Sequence, residues 1–174
     1  FFKSPLEQSR APAKTAPRII PTTQRKEETA MIEQDTIKLL RECDAGIKMG
    51  VTSIDDVLPH THSEKLQKTL TKCKDEHEQL QSQVQELLGK YKDEGKNPNP
   101  IAKGMSWMKT KVMLMMHEND ATIADLMSDG AAMGVKSLAK YLNQYKAADR
   151  DSKNIAKKII ELEESLIKDI QPYL

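Results

Sequence analysis

The sequence predicts an all-α fold: four long helices in two hairpins, the hairpins joined by a long crossover. Three observations carry that prediction. Apolar residues step by three and four through four separate stretches, proline and glycine punctuate the ends of those stretches, and no segment alternates polar with apolar over a strand's length. At 174 residues the chain has room for one domain with a sizeable core.

The first 30 residues stand apart. Pro5, Pro12, Pro17 and Pro21 are spaced too closely for a helix, and the few apolar residues cannot build a core. Residues 1–30 are therefore expected to be a basic, Pro-rich tail, disordered or extended, ahead of a four-helix bundle over 31–174. Phe1-Phe2 and Ile19-Ile20 are the apolar anchors such a tail would offer a protein partner. No long apolar region follows Phe1-Phe2, so it does not read as a secretory leader, and the missing initiator Met suggests processing or truncation.

From Ile32 the pattern turns helical. Ile37, Leu40, Asp44, Ile47, Val51, Ile54 and Leu58 form one stripe, about 33 Å long at the usual rise, and Pro59 stops it. "PHTH" makes the turn and Ser63 caps the second helix. Leu66, Leu70, Cys73, His77, Leu80, Val84, Leu87 and Tyr91 make its stripe, and Gly89 and Gly95 fray it into "DEGKNPNP". A short apolar segment, "IAKGMSWMKTKVMLMM", is expected to form a short helix in the crossover, with Trp107 buried as its anchor. A third helix, with Asp120 or Thr122 as its cap, aligns Ile123, Met127, Ala131, Gly134, Leu138, Tyr141 and Tyr145. After "KAADRDSK" the fourth aligns Ile155, Ile159, Leu162, Leu166, Ile170 and Tyr173.

Connection lengths then predict topology. The turns inside each hairpin are short, whereas roughly 25 residues separate the hairpins, enough to climb the height of a bundle. The third helix can start at the end where the second began, leaving those two parallel.

The run "GMSWMKTKVMLMMHENDATIADLMSDGAAMGVKSLAKYLNQY" resembles the second half of small bacterial ferritin-like proteins grouped as a domain of unknown function. The likeness rests on Gly104, Trp107, Lys109, the helix start at Asp120, Gly130, Tyr141 and the closing "QPYL". It covers about residues 32–174. It implies a ferritin-like four-helix bundle, two helical hairpins joined by a long crossover containing a short helix. It implies no activity, because that family has none assigned.

Charge excludes some partners. The 27 basic and 26 acidic side chains balance, and on the helices both signs are interleaved, as on a solvated surface rather than a nucleic-acid patch. The tail is the exception: residues 1–26 carry six basic groups against Glu7, a net +5, leaving −4 for the rest. No apolar run approaches the roughly 20 residues of a membrane span. Two cysteines, Cys43 and Cys73, make no disulfide framework, and a reducing, cytoplasmic setting is expected. Neither lies at a height to pair with the other, so both read as small hydrophobes. The Met105, Met108, Met113, Met115, Met116 and His117 cluster would suit Cu(I), but methionine at helical spacing is the usual flexible core filler.

One residue breaks the pattern: His77 stands in a seam built for leucine. In an antiparallel hairpin centred between His60 and Thr61, the residue at its height is Asp44, which interrupts the facing stripe. An unpaired buried charge is costly, so the two are expected to pair, chiefly for structure. The alternative is a metal site, since di-iron bundles take a carboxylate from each of two helices and Glu-x-x-His from each of the other two. Here Lys74 stands where that motif needs Glu. Glu161 and Glu164 have the right spacing on the fourth helix but lack the histidine, and Asp125 and Asp129 are not clearly inward.

No phosphate loop, nucleophile elbow or zinc cluster is present. The leading expectation is a non-catalytic bundle acting through binding or assembly, without a cofactor. It would be a homo-oligomer, with the tail available to a protein partner and no engagement of nucleic acid or membrane. The alternative is a degenerate metal-binding protein, holding iron or another divalent metal through Asp44, His77, Glu161 and Glu164.

Overall fold

A computed structural model describes residues 21–99, 113–114 and 116–174. Among these residues the fold is all-helical and has no strand. Helix α1 spans Thr22–Val57, α2 Glu64–Lys90, α3 Asp120–Gln144 and α4 Arg150–Ile170. Single 3₁₀ turns follow α1 (Leu58–His60) and α4 (Gln171–Tyr173), each with a proline in its first positions, where a missing N–H costs nothing.

Capping chemistry sets the helix starts. Ser63 accepts from the Leu66 N–H, Asn119 from the Thr122 N–H and Asp149 from the Ser152 N–H. The cap of α3 is thus Asn119, one residue before the expected Asp120. Asp120 does something else: its two oxygens accept the backbone N–H groups of His62 and Ser63, at 2.8 and 2.9 Å. That bond pair fixes the start of α3 to the turn between α1 and α2.

At the opposite end the α3–α4 turn is tied to the body of α1. Ala147 N–H donates to Asp35 and Asp149 N–H to the buried Thr36 hydroxyl. These two sets of bonds establish direction. The chain leaves α2 at one end and re-enters α3 at the other, so α2 and α3 run parallel, as the long connection predicts. Each helix packs on two antiparallel neighbours, in the ring order α1, α2, α4, α3, while α1 and α4 also touch across the middle. The core forms two clusters along the axis, one around Leu40, Ile47, Val84 and Ile159, the other around Ile54, Leu70, Ile123 and Ile170.

The apolar stripes locate burial well, with Leu88 in place of Leu87 on α2. They locate helix ends less well. Helix α1 begins at Thr22, so residues 22–30 are helical and the expected extended tail does not reach residue 30. After Pro21 no proline interrupts, and Arg25, Lys26, Glu27 and Glu28 are ordinary helix formers. All of residues 22–34 are exposed, which is why no apolar stripe announces them. A stripe reports where a helix meets a core, not where it starts. Residues 1–20 lie outside the described residues, as do Trp107 and most of the segment expected to form a short crossover helix; Met113, Leu114 and Met116 are helical, and Leu114 is buried in the second core cluster. No helix among the described residues is long and apolar enough to cross a membrane.

Candidate functional site

Two polar groups occupy the interior where the sequence places them, and they do not meet. Asp44 and His77 are both buried, at 0% and 1% exposure. Asp44 on α1 accepts from Gln85 Nε2 at 2.8 Å, from Lys48 Nζ at 2.7 Å and from the Lys96 backbone N–H at 3.0 Å. His77 on α2 instead faces Gly50 on α1 and Glu163 on α4. The expected Asp44–His77 pair is therefore corrected. The cause is the hairpin turn: the 3₁₀ turn carries the first arm on to His60, and the linker to Ser63 moves the pivot about three residues beyond the expected centre between His60 and Thr61. Each residue of displacement moves the facing partner by two. Asp44 and Gly50 are six residues apart, about 9 Å along the helix.

Asp44 is an anchor for the crossover. Lys48, besides its ion pair with Asp44, reaches Asn97 Oδ1 at 3.3 Å, and Lys96 Nζ pairs with Glu42 at 2.6 Å. Nearby, Arg41 pairs with Asp93 at 2.6 Å, and Asp93 also accepts the Gly95 N–H. The hydrogen bond to Arg41 holds the Asp93 carboxyl below its ordinary range. Gly95 has φ of 88°, in the left-handed region, and a Cβ there would collide with Asp44 Oδ2. Gly95→Ala is therefore expected to destabilise by about 1–3 kcal/mol, from backbone strain together with displacement of the carboxylate. A urea midpoint at neutral pH measures it; no shift would mean that the segment after α2 swings clear at little cost.

The His77 layer draws one residue from every helix: Gly50 from α1, His77 from α2, Gly134 from α3 and Glu163 from α4. His77 Nδ1 lies 2.8 Å from the Cys73 carbonyl oxygen and 3.5 Å from its thiol sulfur. Nε2 lies 3.0 Å from Glu163 Oε1. The carbonyl and the carboxylate are both acceptors, so the ring satisfies both by donating from both nitrogens. The glycines make room. A Cβ on Gly50 would stand 3.0 Å from His77 Nε2, tighter than ordinary packing, and one on Gly134 would touch Glu163 at 3.6 Å.

Electrostatics follow from these contacts. Burial of the ring pulls its pKa down, but the hydrogen bonds to Cys73 and Glu163 and the Glu163 charge outweigh it, raising His77 to about 10. Burial first, then Glu42 and Asp44, push the Cys43 thiol up to about 12, which keeps it a protonated, unreactive hydrophobe. Cys43 and Cys73 are both free and buried.

The remaining metal candidates lie elsewhere. Glu161 and Glu164 are exposed on the outer side of α4, and Asp125 and Asp129 are exposed on α3. Lys74, in place of a ligand, forms a surface ion pair with Asp55 at 2.6 Å. Among the described residues no three His, Cys, Asp or Glu side chains gather where one metal ion could be held. Among the described residues the donors at the middle of the bundle are one carboxylate, one thiol and one imidazole whose two nitrogens are already committed. That set does not fit a di-metal centre, which needs carboxylates from all four helices.

Glu163 was legible by the rule that picks out His77. Ser152, Ala156, Ile159, Glu163, Leu166 and Ile170 step by four and three, and all six are buried. The parallel choice of Leu162, a half-buried neighbour, obscured it among the glutamates of "ELEESL". No family model, no curated protein and no solved structure matches this chain, so function is argued from these residues.

Proposed function

We propose that this chain is a non-catalytic bundle of ferritin-like topology that acts in the cytoplasm through binding or assembly as a homo-oligomer. The observation that carries the reading is the middle layer. Where a ferritin-like enzyme gathers ligands from four helices, two helices here present glycine and the other two present a histidine and a glutamate that satisfy each other. The antiparallel ring of helices and the crossover that makes α2 parallel to α3 support the ferritin-like assignment. Asp44 and Asp120 are taken up in holding the crossover and the α1–α2 turn, and the buried thiol of Cys43 is unreactive.

Metal analysis of protein purified without chelators tests the reading. Iron, manganese and zinc are expected well below one per chain, and unchanged in His77→Ala. Stoichiometric metal that disappears in this variant would overturn it. Sedimentation supplies the second measurement: a species larger than one chain is expected, and a monomer at all accessible concentrations would remove the homo-oligomer from the proposal.

A further inference from the structure

We infer that the His77–Glu163 pair is a proton-dependent brace: one proton held between Nε2 and Oε1 joins the first hairpin to the second, and its loss loosens α2 from α4. The geometry requires that proton. With Nδ1–H given to the Cys73 carbonyl at 2.8 Å, an unprotonated Nε2 would point its lone pair at a carboxylate oxygen 3.0 Å away. Neither side could turn to water, because His77 is 1% and Glu163 8% exposed. Two facing acceptors in such a place are repulsive and unsatisfied, whereas an imidazolium and a carboxylate form a charge-assisted bond.

The surroundings leave this pair to set its own charge. From α1 the facing residue is Gly50 and from α3 it is Gly134, neither of which ionises. On α2 the facing group is the Cys73 thiol one turn earlier, and on α4 it is Glu163. The Lys74–Asp55 ion pair lies outside, at the surface. The glycines leave room for the pair: a methyl on Gly50 would press on the nitrogen that carries the proton. The other bonds between the hairpins, such as His60 to Glu118, Asp120 to the α1–α2 turn and Thr36 to Asp149, lie near the ends of the bundle. His77–Glu163 joins α2 to α4 in the interior.

The sign of the pH effect follows from linkage. The folded-state pKa lies above that of an exposed imidazole, so between about 6.5 and about 10 the folded chain binds one proton that the unfolded chain does not. The stabilisation is complete below the lower value and is lost as pH rises through the upper one, when the proton passes to solvent. In that window the unfolding equilibrium constant should grow by up to tenfold per pH unit.

Two measurements on the full chain decide the point. In histidine-labelled wild-type protein, nitrogen NMR at pH 8 is expected to show both ring nitrogens of His77 protonated, where a free imidazole keeps a proton on only one. Denaturant unfolding from pH 6 to 9, below the range in which the buried Cys43 thiol keeps a further proton, is expected to show the tenfold-per-unit trend in wild type and its loss in the double variant His77→Leu with Glu163→Leu. A neutral His77 ring at pH 8, with either nitrogen bare, or a wild-type stability flat across the window, would overturn the brace. Should the double variant fail to fold, the two wild-type measurements decide alone.

Discussion

Replacing His77 alone by leucine is expected to destabilise the protein by about 3–5 kcal/mol at neutral pH, because it leaves the Glu163 carboxylate buried without its partner. Replacing Glu163 alone by leucine should cost a similar amount, leaving an imidazole ring with a nitrogen facing an apolar wall. Changing both should recover most of the loss. The layer lies between the two core clusters, and an apolar pair of comparable volume suits it. The coupling energy from the four-member cycle, taken from denaturant midpoints, is the quantity to measure. Additive single effects would show that the two side chains act independently despite their 3.0 Å contact.

Asp44→Ala is expected to cost about as much, roughly 3–5 kcal/mol, for a different reason. It removes a charge-assisted bond to Lys48, worth about 1.5–3 kcal/mol, and two further bonds worth about 1 kcal/mol each. The Lys48 ammonium can turn to water, since its side chain is 28% exposed, so its desolvation adds little. The Lys96 N–H and the Gln85 amide are less free to do so. The local signature should be early loss of hydrogen-exchange protection at Lys96 and Gly95, because Asp44 holds the start of the crossover onto α1. A loss below about 1 kcal/mol, with Lys96 still protected, would show that the Arg41–Asp93 and Lys96–Glu42 pairs hold the segment unaided, which exposed ion pairs of this kind do poorly.

What the sequence settles by itself is what depends on periodicity and chain length. Residues recurring every three or four positions must share a helix face, so the four helices and most of their buried positions follow from Leu66, Leu70, Val84, Ile123, Ile159 and their neighbours. The length of the connection before Asp120 likewise implies that α3 returns to the end where α2 began. Both polar interruptions, Asp44 and His77, are visible as faults in their stripes, and both are buried and bonded. Helix starts without burial are not visible in this way, as the exposed residues 22–34 show.

Which polar residue meets which is decided only in three dimensions. Facing heights depend on the path of a few turn residues, and a pivot displaced toward Ser63 moves His77 from Asp44 to Gly50. Distance across the bundle depends on which helices are neighbours, and the ring order brings α4 against α2, so the partner of His77 lies 86 residues away. Glycines at Gly50 and Gly134 look like helix-weakening residues along the chain; in the folded layer they are the space that the imidazole and the carboxylate occupy. Periodicity is a property of one helix at a time. A buried ion pair between two hairpins is a property of their packing, and no single stripe contains it.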